Sequence, residues 1–214
     1  MLRVREFLIA AECGTIRAMP ARFPNSKPKR AERPHRERRA PVPLDAAKLQ
    51  ELALAYVARF ATSAAKCEDY LRRKLRERGW AGESRPDTRA IAERLVEAGY
   101  IDDEAYARAK SGSLLRRGYG EQRVGQALNA AGIAAETRAA VRAGAATTRA
   151  AALHMAQKRR LGPFGAAVPD RALRQKQVAT LLRAGHPLDS ARELVNSPTI
   201  AAAEEWAAAA GEDE

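Results

Sequence analysis

Apolar positions first recur at helical spacing at Leu49, Leu52, Tyr56 and Phe60, which predicts a helix with one inward face. Asp45 stands where an N-cap belongs, its carboxylate placed to accept from the free amides of the first turn. Ser63 caps a second predicted helix with Cys67, Leu71 and Leu75 on one face. Gly79 ends it, as the residue that takes a left-handed backbone without a Cβ penalty. Beyond a loop holding Pro86, Asp87 caps a third helix, Ile91 and Leu95 turn inward, and Gly99 closes it. Three short helices make a unit spanning 45–101.

The unit recurs in a fixed register. Leu75 to Gly79, Leu128 to Gly132 and Leu181 to Gly185 each spell Leu-x-x-x-Gly, and the glycines are 53 residues apart both times. Glu136-Thr137 aligns with Asp189-Ser190 as the next helix start, and Val141 aligns with Leu194 as its buried residue. A second unit therefore spans 102–146, with Tyr106, Ala109 and Leu114 inward on its first helix and Val124, Ala127, Leu128 and Ala131 on its second. A third spans 147–197. It opens on a helix from Thr147 to Leu161, is interrupted by a loose Gly162-Pro163-Phe164-Gly165 segment, resumes at the Asp170 cap with Val178 and Leu181, and finishes from Leu188 to Val195. Asn196-Ser197-Pro198 ends the order. The predicted fold is all-α: three tandem three-helix repeats that touch mainly their neighbours and stack into an elongated, curved body.

The flanks differ from this body. Residues 1–44 mix prolines with arginines and lysines and show no sustained hydrophobic period, so a disordered basic tail is expected. Met19 offers an alternative start. Residues 198–214 form an acidic, alanine-rich tail, whose Glu204, Glu205, Glu212, Asp213 and Glu214 could fold back on basic residues and compete with a partner. The formal charge is +12, divided as +7 over residues 1–44, +10 over 45–197 and −5 beyond. A basic body draws in phosphates or acidic protein surfaces. The apolar patch from Phe7 to Ala11 is too brief for an export signal, and no stretch approaches the roughly 18 apolar residues of a membrane span. Cys13 and Cys67 lack metal or redox spacing, and a cytoplasmic protein is expected.

No catalytic set emerges. Asp102-Asp103-Glu104 opens a helix, where carboxylates cap free amides and meet the helix dipole. His35, His154 and His186 lack partners at metal spacing. Gly118-Tyr119-Gly120 has neither the preceding strand nor the Gly-Lys-Ser/Thr ending of a phosphate loop, and reads as a helix connector. Tyr56, Tyr70, Trp80, Tyr100 and Tyr106 read as packing residues rather than base-stacking platforms. The basic residues carry more information. Arg72, Arg73, Lys74, Arg76 and Arg78 crowd one helix, Arg116, Arg117 and Arg123 bracket a loop, and Lys158, Arg159 and Arg160 form a run. These are either solvated faces or a stripe that follows a phosphate backbone or a row of acidic patches. Neither an enzyme nor a bound cofactor, metal or small-molecule ligand is expected.

The string Gly99-Tyr100-Ile101-Asp102-Asp103-Glu104-Ala105-Tyr106-Ala107 resembles the central signature of the RecX family, bacterial regulators of the recombinase RecA. Tyr70 through Trp80 resembles the family's first-repeat helix end, and Gly118 through Ile133 and Leu181 through Gly185 resemble the later ones. The resemblance covers about Asp45 to Ser197. It departs at His186, where the family favours an aromatic residue, and at Ser111-Gly112-Ser113, which weakens a helix. It implies three three-helix repeats without enzymatic activity. It also implies a non-enzymatic regulator that binds the RecA filament on single-stranded DNA and restrains ATP hydrolysis, strand exchange and repressor cleavage. Arg72, Arg73, Arg76, Arg116, Arg117 and Arg123 are the expected contact residues, with weak direct contact to single-stranded DNA and none to a membrane. The alternatives are a nucleic-acid-binding protein with helix-turn-helix-like triplets acting without RecA, and a scaffold for another acidic protein.

Overall fold

The computed structural model describes residues 42–211. The expected basic tail lies outside these except for residues 42–44, as do Cys13, His35 and the acidic residues 212–214.

Helices begin where a short polar side chain can accept from the first-turn amides. Asp45 accepts from Lys48 N at 2.7 Å and opens α1 (Ala46–Arg59). Ser63 accepts from Lys66 N and opens α2 (Ala64–Arg78), and Asp87 accepts from Arg89 N and Ala90 N and opens α3 (Thr88–Glu97). Asp102 opens α4 (Asp103–Arg116), followed by α5 (Glu121–Asn129) and the short α6 (Ala135–Ala140). Then come α7 (Ala145–Arg159), α8 (Arg171–Arg183) under the Asp170 cap, α9 (Leu188–Asn196) and α10 (Ile200–Ala208). Ser111-Gly112-Ser113 does not break α4: Ser111 is buried and the helix runs through it. Among the described residues there is no strand beyond one isolated parallel bridge between Leu44 and Trp80.

The helix ends separate into two kinds. Tyr119 N–H donates to Leu114 O, Ile133 N–H to Leu128 O and His186 N–H to Leu181 O, each at 3.1 Å and each across a glycine of positive φ. This six-to-one closure satisfies carbonyls that the helix leaves free. Gly79 differs from its register mates: it continues the α-helical bond to Leu75 O and adopts φ 82°, ψ 175°. That backbone delivers Trp80 to the bridge, where Leu44 N–H donates to Gly79 O and Ala81 N–H to Leu44 O.

The register glycines also join one unit to the next. Ser63 Oγ, at the N-cap of α2, donates to Ala131 O at 2.6 Å, and Gly120 N–H, at the N-cap of α5, donates to Ala184 O at 2.9 Å. Ala131 and Ala184 each precede a register glycine, so one contact is made twice at equivalent carbonyls. A Cβ on Gly132 would lie 2.2 Å from Ala65 Cβ, and one on Gly185 would lie 2.5 Å from Arg123 N. A Cβ on Gly79 would meet nothing within 4 Å. The first junction gains a further tie, since Asp103 Oδ1 accepts from Ala64 N at 2.9 Å and so caps α2 from the next unit.

Three core clusters follow. The first joins Leu49, Cys67, Leu71, Ile91, Leu95 and Ile101, the second Leu114, Val124, Leu128 and Ile133, and the third Met155, Leu161, Leu181, Leu194 and Val195. Tyr119 packs on both the second and the third, and α7 contributes to both through adjacent Ala151 and Ala152. Several inward expectations need correction. Phe60 ends α1 as its C-cap and is 53% exposed, Ala109 is exposed while Ala107 is buried, and Val141 is only half-buried at the end of α6. The Gly162 segment is not loose: Gly162–Phe164 is a 3-10 turn, and Gly162 N–H donates to the buried Gln177 Oε1 at 2.9 Å.

The expectation that order ends at Pro198 is overturned. Thr199 caps α10, which lies on α7 with Ala203 and Ala207 buried. Arg149 stacks over the Trp206 ring at 5.0 Å and donates to Trp206 O at 3.0 Å. The alanine-rich sequence is what lets this helix approach closely, because small side chains keep two helix backbones near each other. The tail therefore covers α7 as part of the third core.

Two outcomes follow for stability. Gly99 and Gly185 share the left-handed cap, but a Cβ on Gly99 meets nothing within 4 Å. Gly99→Ala should cost about 1–2 kcal/mol for the backbone alone, and Gly185→Ala should cost clearly more in chemical denaturation, because Arg123 backbone must move. Equal costs would show the junction to be loose. Trp206→Ala should cost about 2 kcal/mol, less than emptying a fully buried aromatic site. It should raise hydrogen exchange in α7 and α9 while leaving α1 to α3 unchanged.

Candidate partner-binding surface

On α2 the inward positions are taken by Cys67 and Leu71, and the remainder is almost continuously charged. Arg72 Nη2 donates to Glu68 Oε1 at 2.6 Å, Arg73 approaches Glu77 at 3.7 Å, and Lys74 Nζ bonds Glu77 Oε2 at 2.6 Å. The Lys74 hydrogen bond leads in holding the Glu77 carboxyl below its usual range, and Lys74, Arg73 and Arg76 add to it through their charge. Exposed pairs of this sort are screened by solvent and contribute little, so these arginines are readily drawn to an external anion.

The second group surrounds the junction of units two and three. Arg116 ends α4, Arg117 caps it with its guanidinium 5.4 Å above the Tyr119 ring, and Arg123 is exposed in the first turn of α5 beside Gly185. The structure thus sets Arg116, Arg117 and Arg123 at the helix ends that flank one loop, with the Arg116 guanidinium lying back towards Gly112, and keeps Arg72, Arg73 and Arg76 together on α2. Among the described residues no hydrogen bond, ion pair or ring contact links the two groups. Below the loop a cleft of about 460 Å³ is bordered by Glu121 and Arg142, joined as an ion pair with Arg142 Nη2 donating to Glu121 Oε2 at 3.0 Å. That pair spans 21 residues of sequence, beyond the reach of helical spacing.

The loop Gly118-Tyr119-Gly120 serves the junction. His186 is 1% exposed, and its Nε2–H donates to Gly118 O at 2.9 Å. The other ring nitrogen, Nδ1, is buried without a hydrogen-bond partner. Burial holds the ring below its ordinary range, with the Gly118 bond opposing in part, so the folded protein keeps it neutral. Protonation would create an N–H donor with no acceptor, a cost the folded state avoids.

Other sequence candidates have structural roles. Asp102 caps α4, Asp103 caps α2 across the junction, and Glu104 pairs with Arg108. Burial pushes the Cys67 thiol up to about 11, which leaves it unreactive at neutral pH. His154 is exposed, and no cluster of three His, Cys, Asp or Glu side chains among the described residues is placed to hold a metal. No helix among them is long and apolar enough to cross a membrane.

A surface that sequence reasoning missed lies between α1 and α2. Tyr56 stacks on Tyr70 with ring centroids 4.2 Å apart, and Phe60 lies 5.5 Å from Tyr56 at a tilt of 47°. Arg59 stands over Phe60, and Arg73 over Tyr70. The only signal was the Tyr56–Phe60 spacing of four, which reads equally as core.

Comparison with known proteins bears on these features. Residues 102–141, which span α4 to α6, match the model of the RecX second three-helix domain. The chain is 32% identical over 158 residues to the regulatory protein RecX of Myxococcus xanthus, covering 70% of this chain and 84% of that protein. This chain belongs to the RecX family. Its fold is similar to the crystal structure of RecX from Lactobacillus salivarius, with a TM-score of 0.56 at 18% identity over 70% of this chain and 93% of that one. It is thus a regulatory protein of the RecX type, with its family-matched segment placed between the two junctions.

The neutral His186 gives this RecX-family chain a pH dependence. As pH falls below the ordinary histidine value of about 6.5, the unfolded chain takes up a proton that the folded ring resists, so stability complete above that value is lost below it. Between pH 7 and 5 the wild type should lose more unfolding free energy than His186→Phe. Parallel pH profiles for the two would exclude this linkage.

Proposed function

We propose that this chain is a non-enzymatic regulator that binds the RecA filament assembled on single-stranded DNA and restrains its ATPase, strand-exchange and coprotease activities. The observation that carries the reading is the repeated junction. An equivalent backbone carbonyl accepts at both junctions, from the Ser63 hydroxyl between units one and two and from the Gly120 amide between units two and three, so basic groups are carried at intervals along a series of similar units. A polymer of repeating protomers presents its acidic or phosphate groups at intervals too, and several weak contacts held on one scaffold add through effective concentration. Membership of the RecX family supports the same partner.

In this account Arg72, Arg73 and Arg76 make one contact patch, and Arg116, Arg117 and Arg123 make another at the next junction. Both sets are exposed. Arg72 and Arg73 exchange their intrahelical carboxylates for the partner's groups at little net cost, while Arg117 is held in place by Tyr119. Small-molecule ligands and membranes play no part in it.

The deciding measurement is RecA ATP hydrolysis on single-stranded DNA with increasing amounts of this chain. Inhibition is expected, and charge reversal to Glu at all six arginines should weaken it by tenfold or more, with the steepest loss at low salt. Inhibition unchanged in that variant would place the contact elsewhere, and an unaffected RecA would overturn the reading.

A further inference from the structure

The groove between the end of α1 and the start of α2 joins two rings that pack on the first core, Tyr56 and Tyr70, to an exposed ring and a set of cations. It encloses about 630 Å³, and its wall carries three aromatic rings, Tyr56, Phe60 and Tyr70, and three cations, Arg59, Lys66 and Arg73. No carboxylate lines it. Among the described residues neither Arg59 nor Lys66 has an ion-pair partner, and Arg73 shares only the 3.7 Å approach of Glu77. Lys66 instead stands 5.3 Å from the Tyr106 ring and Arg59 5.7 Å from Phe60.

Phe60 is the informative residue. It falls on the apolar stripe of α1, yet the residue is 53% exposed at the groove mouth. The Tyr56–Tyr70 stack holds the wall behind it. An exposed ring braced by stacked rings and bordered by unneutralised cations is the combination that receives an unpaired nucleobase and the phosphates on either side of it. A base in a duplex has its faces occupied by its neighbours and could not reach the ring. An acidic peptide would satisfy the cations but would leave the exposed ring face without a matching π surface.

We infer that this groove binds single-stranded DNA, with one base stacked on Phe60 and flanking phosphates on Arg59, Lys66 and Arg73. The assignment deepens the filament reading by giving the strand its own place on the first unit. It stands apart from the six-arginine patches except at Arg73, and it can be tested without RecA.

The test is fluorescence anisotropy of the full chain with a labelled fifteen-nucleotide oligothymidylate, compared with a strand of equal length and charge built from abasic sugars. The basic residues of 1–44 attract both strands alike, so the difference between them reports stacking. The wild type should prefer the base-bearing strand by about fivefold or more. Phe60→Leu, which keeps apolar bulk without a ring, should erase the preference, and Phe60→Trp should retain it. Arg59→Ala with Lys66→Ala should weaken both strands and flatten the salt dependence. Equal wild-type affinity for the two strands would overturn the inference, as would a preference that survives Phe60→Leu. Displacement of the oligothymidylate by an oligo-glutamate of equal charge as effectively as by unlabelled oligothymidylate would also overturn it, by assigning the groove to an acidic protein. Because RecA is absent, a failed base preference counts against the groove alone, while an intact preference beside an unaffected RecA ATPase counts against the filament reading alone.

Discussion

The carbonyls that precede Gly132 and Gly185 are where the helical units become one body. Ala131 O and Ala184 O sit at the ends of α5 and α8, where helical bonding has run out and a free acceptor remains. In each case the donor comes from the N-cap of the preceding unit's second helix: a hydroxyl at Ser63 and a backbone amide at Gly120. The start of one helix thereby answers the end of another, and opposite ends of two helix dipoles meet. Close approach is possible only because the next residue has no Cβ, as the Ala65 and Arg123 clearances at Gly132 and Gly185 show. One glycine therefore both ends a helix and seats the neighbouring unit, which ties the 53-residue spacing to packing as well as to local backbone.

An array built on such a contact needs ends that do not propagate it. At the first unit Gly79 adopts a different backbone, faces no neighbour, and hands Trp80 to a bridge with Leu44. At the last, α10 covers α7 through Ala203, Ala207 and Trp206. These solutions do for the chain what atypical terminal repeats do for longer arrays: apolar surface that a further unit would cover is closed by local means. His186 belongs to the same economy of contacts. It occupies the position after the register glycine that Trp80 and Ile133 hold in the other units, and its ring nitrogen supplies a bond to Gly118 O that a hydrocarbon could not.

What was legible in the sequence follows from the range of each interaction. Asp45, Ser63, Asp87, Asp102 and Asp170 act as caps through bonds two or three residues away, so residue type and position suffice to place them. The glycine register was visible because conformations with positive φ restrict residue choice. The Asp103 bond to Ala64, the Arg142 pair with Glu121 and the docking of α10 connect residues distant in sequence, and no local pattern encodes them. Ala109 and Phe60 were misplaced for a related reason. Alanine-rich helices carry a shallow polarity contrast, so the inward face is set by which neighbour packs there. Among the candidate site residues, the arginines were recognisable by clustering alone, whereas the Phe60 groove required two helices to be brought side by side.

The distribution of carboxylates sharpens the distinction between cations that hold the fold and cations left for a partner. Arg72, Arg73, Lys74, Arg89 and Arg108 each have an acidic side chain within one helical turn, and Arg142 has Glu121, whose hydrogen bond leads in raising the guanidinium above its ordinary range. Arg59, Lys66 and Arg117 have rings instead. A ring orients a cation without neutralising it, so its field still reaches solvent, whereas a carboxylate cancels most of that field at short range. Cations over rings are therefore better placed to meet phosphate than cations in pairs. Of these ring-held cations Arg59 and Lys66 flank Ser63 in the sequence at the first junction and Arg117 precedes Gly120 at the second. Arg149, over Trp206, is instead tied by its hydrogen bond to Trp206 O into the contact of α7 with α10, so the charge displayed for a partner is set by the helix ends that join the units.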